Sequence, residues 1–425
     1  MSKRKWLVVL MLLLAVSVMF AAGRSETTGK KKIVHYHWTE TSYDVINNNA
    51  VKMFQEKNPD VEVNMLLLAD ADRANQIRIA LASQGDIDSF ALSNMESAEF
   101  HESGQMAKIE PAGFGKNTVA EVVDMWEPNS IEVSGGYWNG EYWGIPFELS
   151  NYVGWINTKF MKEAGLDPVN DIPKTWDEFF DVTKKMTIDK GGVRTRNGFA
   201  TNSKASSFPF LIMHALAAQQ GFDWLTEEGF KASINDPKIA KVIGTMTDMV
   251  TKYDIWDPGL FDDEREGFGT GKTATFLTGG SWYWGVLDNW GVSRDDVTPM
   301  AYPRFADGED FGGIGYGYCL YVSQFADDPV LTWEFLDTLA SQPDEFMKLG
   351  YNQPRKSLDK SLAKQYIPKS EVFVSETAKA SPILMSTKMA ELQDATWAAA
   401  TRVIFQGMTM DKTIEQLRKD VNRIL

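Results

Sequence analysis

Apolar positions in the first hundred residues change period repeatedly. Residues 33–38 form an apolar-rich run that predicts a short strand, followed by a polar stretch at 39–42. Between 50 and 57, Val51, Phe54 and their neighbours recur at helical spacing, and Asn58-Pro59 stops the helix. Residues 61–68 predict a second strand, 73–83 an amphipathic helix capped by Gly85, and 88–92 a third strand. Strand and helix thus alternate, the pattern of a parallel sheet with helices on its faces. Ligands of such sheets sit where strands end and loops begin, so the loops at 39–41 and 93–96 are the first candidates for a site.

Downstream, residues 135–143 are rich in Gly and aromatics and lead into Gly144-Ile145-Pro146-Phe147-Glu148 and a strand at 152–156. A helix at 176–186 carries a capping-box signature, Thr175 before it and Glu178 at its third position. Further helices are predicted at 208–219, 239–253 and 329–340, and strands at 274–277 and 316–322. Residues 390–425 read as helix with one break at Gly407. No internal repeat is present.

The 425 residues suffice for two or three domains, and the formal net charge of −15 lacks the basic field that nucleic acid or an anionic membrane requires. The 14 Trp are many for this length, and several stand beside Gly, Asn or Glu, which suggests flat stacking surfaces for a ligand. The single Cys319 lies in an apolar run and reads as a small core residue, so no intramolecular disulfide is possible.

The N-terminus reads as an address. Lys3, Arg4 and Lys5 precede an apolar stretch at 6–20, short for a membrane span, and Ala21-Ala22-Gly23 supplies a small-residue cleavage site. Residues 1–23 are therefore expected to be a signal peptide and 24–32 a flexible lead-in, with an uncleaved anchor as the alternative. Arg24 stands where a lipoprotein would need Cys, so lipid attachment is not expected. The mature chain is expected outside the inner membrane, periplasmic or extracellular.

Most catalytic motifs fail. The run ending Gly271-Lys272-Thr273 has Glu266 where a phosphate loop needs its first Gly. Gly280-Ser281 lacks the second Gly of a nucleophile elbow. His35 and His37 share a strand face, but no further ligand spacing completes a metal site, so strand packing is the reading. Asp262-Asp263-Glu264 reads as a solvated turn. Glycoside hydrolysis stays open, because Glu40, Glu96 and Glu148 all fall at predicted strand ends and that chemistry needs two carboxyls. Trp with carboxylates and amides equally suits a sugar binder.

Several segments, in order, resemble the extracellular solute-binding proteins of carbohydrate ABC importers, the maltose-binding protein group. They are Asn58-Pro59-x-Val61-x-Val63, Leu81-Ala-Ser-x-Gly85-Asp86, the stretch from Gly144 through Asn157 to Pro168 with Pro173-Lys-Thr-Trp176, Gly271 to Trp282, and Pro329 onward to Gly350-Tyr-Asn-Gln-Pro354-Arg355. The resemblance spans 33–425. It implies an α/β, two-lobed periplasmic-binding-protein fold of type II, with the ligand cleft between lobes joined by crossing strands. The expected lobes are 33–147 with 313–355, and 148–312 with 356–425. Closure on a sugar would present the chain to permease transmembrane subunits. The implied binding residues are Trp38, Thr39 and Glu40 after the first strand; Asn94, Met95 and Glu96 after the third; Glu148, Ser150 and Asn151 on the crossing strand; Trp282 and Trp284; Gly312 and Gly313 at the return crossing; and Arg355, Asp394 and Trp397. Relatives often carry an aromatic and a basic residue where this chain has Asn94–Glu96.

Each residue also has a plainer reading. Trp176 is expected in the core, Trp38 and Trp284 are open between core and site, and Glu148 could hold the hinge by bonding to backbone. The expectation is a monomeric binder of a mono- or oligosaccharide without cofactor, metal or catalysis. A cationic or organic solute, or a secreted glycoside-acting enzyme, is the alternative. An anionic solute would call for convergent Arg or Lys, and the candidate loops offer only Arg355.

Overall fold

A computed structural model describes residues 30–39, 43–359 and 361–425. The expected signal peptide, most of the lead-in and Glu40 lie outside the described residues. The strands that build the frame are β1 (Lys31–Trp38), β2 (Val61–Leu68), β3 (Ser89–Ser93), β4 (Met106–Ala107), β5 (Gly144–Asn151), β6 (Val153–Asn157), β7 (Thr275–Gly279), β8 (Val297–Met300) and β9 (Gly315–Ser323).

Two sheets organise two α/β lobes. The first is six-stranded, in the order β2-β1-β3-β9-β4, with β5 also paired to β9. β1 runs parallel to β2 and β3, whereas β9 returns antiparallel to β3. One core cluster of this lobe joins Ile46, Ala50 and Phe54 of the helix Asp44–Lys57 to Trp333 and Leu336 of the helix Pro329–Leu339. A second gathers Ile77, Leu81, Phe90, Phe100, Cys319 and Tyr321. Burial pushes the Cys319 thiol up to about 12, and a side chain at Gly136 or Gly144 would lie 2.8 Å from its sulfur.

The second sheet is three-stranded, β7-β6-β8. One cluster in this lobe centres on the helix Ser207–Gln219, whose residues from Pro209 onward are all buried; a helix apolar on every side belongs inside a lobe. Trp155, Phe276, Tyr283 and Trp284 form another. Glu178 and Thr175 make the predicted capping box, and Trp176 behind it is buried with its indole N–H on Gln219 at 2.9 Å. Gly407 takes a left-handed conformation between the last two helices, Met389–Gln406 and Met410–Ile424.

Several expectations need correction. The first helix starts at Asp44, a turn and a half before its apolar periodicity becomes regular. Gly85 is not the left-handed cap of the helix Asp70–Ala82. Gln84 takes that conformation at φ 49°, and the Gly85 N–H closes the end on the Ala80 carbonyl at 2.8 Å. Asn139 and Gly140, both at positive φ, turn a small hairpin between Tyr137–Trp138 and Glu141–Tyr142. Glu264 is not part of a solvated turn: it is buried and accepts a hydrogen bond from the Thr278 hydroxyl at 2.5 Å.

Candidate functional site

Alternation along the β5/β9 ribbon sorts its side chains onto two faces. Tyr316 pairs with Ser150 and Tyr318 with Glu148, so these four share one face, while Leu149, Asn151, Gly315 and Gly317 take the other. The chain leaves this ribbon for the second lobe directly into β6, so the first face looks along the junction between the lobes.

From the first lobe, Trp38 at the end of β1 stacks on Tyr318, with ring centroids 4.3 Å apart and planes at 28°. His37 also stacks on Trp38, at 4.1 Å. The Arg73 guanidinium stands 5.2 Å from both the Trp38 and Tyr318 ring centroids. Arg73 also holds Glu96 at 2.6 Å, and the same Glu96 oxygen accepts the Ser93 N–H at 2.9 Å and the Ser93 hydroxyl at 2.7 Å. Glu96 therefore fixes the β3 loop rather than projecting from it. Glu148 is buried and accepts a hydrogen bond from the Tyr43 hydroxyl.

From the second lobe, the Trp282 indole N–H donates to the Tyr316 hydroxyl, and Tyr316 packs on Tyr152 at 4.6 Å. Trp282 is half-buried and packs against core clusters of both lobes. Met95, of the first lobe, packs against a second-lobe cluster. The Arg265 guanidinium lies 4.9 Å from the Trp282 ring and 4.9 Å from the Phe208 ring. Burial raises the Tyr316 phenol well above its usual value, and raises that of Tyr152 with Arg265 partly offsetting. Both hydroxyls stay protonated at neutral pH and keep their donor capacity. Ring faces, hydroxyls and guanidinium groups together suit a ligand with C–H faces and many acceptor oxygens.

A cavity of about 690 Å³ opens beside the ribbon, with Leu149, Ser150 and Asn151 in its lining. Leu149, Leu358, Ile367, Phe373 and Val374 give it mainly apolar walls, and the Asn151 carbonyl oxygen there already accepts the Thr377 hydroxyl at 2.8 Å. Its volume would hold a ligand, and among the described residues Asn151 Nδ2 and both polar side-chain atoms of Gln353 in its lining are buried without a hydrogen-bond partner. The aromatic face adds ring surfaces drawn from both lobes, and that favours it as the recognition surface.

The aromatic face thus brings together Glu148, Ser150 and Trp282 of the expected residues, with Trp38 in the core behind Tyr318. Asn94 is buried beneath it, donating its amide to the Val133 carbonyl at 3.0 Å. Thr39 is exposed, with its N–H on Leu68. The others lie elsewhere. Trp284, 4 % exposed, faces Trp155 at 4.8 Å and donates to the Pro368 carbonyl, because the short helix Tyr283–Asn289 turns it inward. Trp397 is buried in the second-lobe core, stacked 6.2 Å from Trp256. Asp394 accepts the Ser206 hydroxyl at 2.6 Å. Arg355 holds Asp337 at 2.8 Å and the Ala340 carbonyl, and lines the apolar cavity with Asn151. The Gly312 amide is engaged by the Lys379 carbonyl at 2.7 Å, and a side chain at Gly313 would meet the Tyr152 carbonyl at 2.2 Å, so both glycines serve close packing.

Five residues of this face escaped the sequence reading: Arg73, Tyr152, Arg265, Tyr316 and Tyr318. The two-residue spacing of Tyr316 and Tyr318 in a strand puts both on one face and was the available signal. His35 and His37 pack as expected, fully buried, with ring nitrogens 3.2 Å apart and His35 on Ser89 at 2.9 Å. Among the described residues no three His, Cys, Asp or Glu side chains form a metal-binding group, and no helix is long and apolar enough to cross a membrane.

Comparison with known proteins bears on this geometry. Residues 37–345 match the family described as bacterial extracellular solute-binding protein. The arabinooligosaccharide-binding protein of Halalkalibacterium halodurans is 26% identical over 231 residues, 51% of this chain and 48% of that one, so the match spans about half the length of this curated relative. The fold is that of a Thermotoga lettingae solute-binding protein bound with α-D-tagatose, at TM-score 0.76 and 20% identity over 93% of this chain and 100% of that one. A Listeria monocytogenes ABC substrate-binding protein in complex with cycloalternan gives TM-score 0.76 at 16% identity, covering 93% and 98%. The maltose-bound T. maritima MalE3 gives 0.73 at 18%, covering 93% and 100%.

Proposed function

Because the chain belongs to the bacterial extracellular solute-binding proteins, we propose that it is the solute-capturing subunit of an ABC-type importer and that its ligand is a mono- or oligosaccharide. The observation that carries this reading is the junction face itself. Tyr318 and Trp282 supply half-buried ring surfaces, one from each lobe, with Trp38 buried behind Tyr318, and the register puts Ser150 and Tyr316 on the same face as Tyr318. A pyranose packs its C–H face on such rings and directs its hydroxyls to such partners.

In this reading the lobes are 33–147 with 313–355 and 148–312 with 356–425, and they close about the β5/β9 ribbon. Closure buries the sugar and forms the outer surface that the permease recognises. The chain acts as a secreted monomer and turns nothing over. Two carboxylates that a glycosidase would need are otherwise engaged, Glu96 by Arg73 and Glu148 by Tyr43. The saccharides named for its relatives support the ligand class without specifying a sugar.

A thermal-shift screen of the mature chain against neutral and acidic sugars, polyamines and amino acids tests the proposal. A ligand that binds only the native state raises the apparent melting temperature, by about 2.7 kcal/mol of stabilisation at a hundredfold excess over its Kd. Stabilisation by saccharides is expected. Stabilisation by polyamines or amino acids alone would overturn it.

A further inference from the structure

Arg265 is out of keeping with the other enclosed arginines. Arg73, Arg194, Arg196, Arg304, Arg355 and Arg402 each hold a carboxylate oxygen at 2.6 to 2.9 Å. Arg265 has no carboxylate within ion-pair distance among the described residues, in a chain with 58 acidic against 43 basic side chains. Two of the acidic residues close to it in sequence are engaged elsewhere. Asp263 caps the short helix Glu264–Gly269 by accepting the N–H groups of Arg265 and Glu266, each at 2.9 Å, and Glu264 is buried against the Thr278 hydroxyl. Burial raises the Glu264 carboxyl above its usual range, with the Arg265 charge partly offsetting.

The guanidinium is nonetheless held in place. Its Nε and Nη2 both donate to the Thr278 carbonyl, at 3.2 and 2.7 Å, and the Tyr283 hydroxyl donates to the Arg265 carbonyl at 2.8 Å. The Trp282, Phe208 and Tyr152 rings surround it. A fixed, partly desolvated cation beside the stacking indole, with no carboxylate within ion-pair distance among the described residues, is a pre-organised partner for an anion. The ribbon's own carboxylate, Glu148, is turned into the first lobe by Tyr43. Arg73 is the built-in contrast: it also stands over ring faces at this junction, yet Glu96 neutralises it.

We infer that the ligand is an acidic saccharide, a uronic acid or an oligosaccharide containing one, whose carboxylate pairs with Arg265 while its ring stacks on Trp282. This rests on the saccharide reading above and narrows it.

Calorimetry on the full mature chain tests it, with galacturonate, glucuronate and their di- and trimers set against galactose, glucose and the neutral di- and trimers. The best uronide is expected to bind at least about tenfold tighter than its neutral counterpart, as a charge-assisted pair implies. Added NaCl should narrow that gap. Arg265→Gln should collapse the acid-to-neutral ratio toward one, and Arg265→Lys should retain part of it. Equal or tighter binding of the neutral counterpart overturns the inference while leaving the saccharide reading intact. An unchanged ratio in Arg265→Gln overturns it equally. If that variant does not fold, judged by its circular-dichroism melt, the wild-type ratio and its salt dependence decide. Binding of neither set overturns the saccharide reading and the inference with it.

Discussion

Two tryptophans separated by a single residue should answer differently to the same substitution. Trp282 is half-buried at the lobe junction, with its N–H on Tyr316 and Arg265 over its ring. Replacing it by Ala removes a cation–π contact of about 0.5–2 kcal/mol and a hydrogen bond of about 1 kcal/mol. It also removes the apolar contact of a ring that is only partly enclosed. The stability cost is then roughly 2–4 kcal/mol, below that of a fully buried Trp. Loss of the stacking surface should weaken saccharide binding at least about tenfold, or 1.4 kcal/mol. Trp284 is enclosed by Trp155 and the Pro368 carbonyl, so Trp284→Ala should cost about 3–5 kcal/mol of stability. It should leave the affinity of the folded fraction within about twofold. Urea unfolding measures the first quantity and calorimetry the second, on each variant. The reverse pattern, affinity lost at Trp284 and kept at Trp282, would refute the assignment of the junction face.

Two further outcomes follow from buried polar groups. Tyr43→Phe removes the hydroxyl that donates to the enclosed Glu148, and should lower unfolding stability by about 1.5–3 kcal/mol in urea without altering the ring packing. Burial also lowers His35 to about 3, so the folded chain refuses a proton that the unfolded chain accepts below about pH 6.5. Stability from this group is complete above that pH and drains as pH falls toward 3, by roughly 3 kcal/mol between pH 7 and 4. Urea midpoints across this range should fall less steeply in His35→Gln, and identical slopes would count against the account.

The frame was legible because the periods were clean. The capping box at Thr175 and Glu178, the break at Gly407 and the alternation of strand and helix before Ser93 are local signals that tertiary packing did not override. The site was only half legible. Trp282 stood out by its neighbours, but nothing local separates it from Trp284, whose direction is set when a helix begins at Tyr283. Arg265 and Arg73 were hidden for another reason. Each lies on a helix remote in sequence from the loops that strand ends suggest, and only the packing of the lobes brings them to the rings. With Arg265 in view, the objection that an anionic ligand lacks a base at the junction loses its footing.

Cys319 has a practical consequence for watching the lobes move. Its thiol is fully buried in β9 and pushed up to about 12, so it is protonated and out of reach at neutral pH. A maleimide or nitroxide reagent would pass it by. Val45, 51% exposed on the first lobe, and Val169, 76% exposed on the second, can each be exchanged for cysteine without removing the native one. Spin labels at those two points would report the inter-lobe distance directly, free and saccharide-bound, against a silent background.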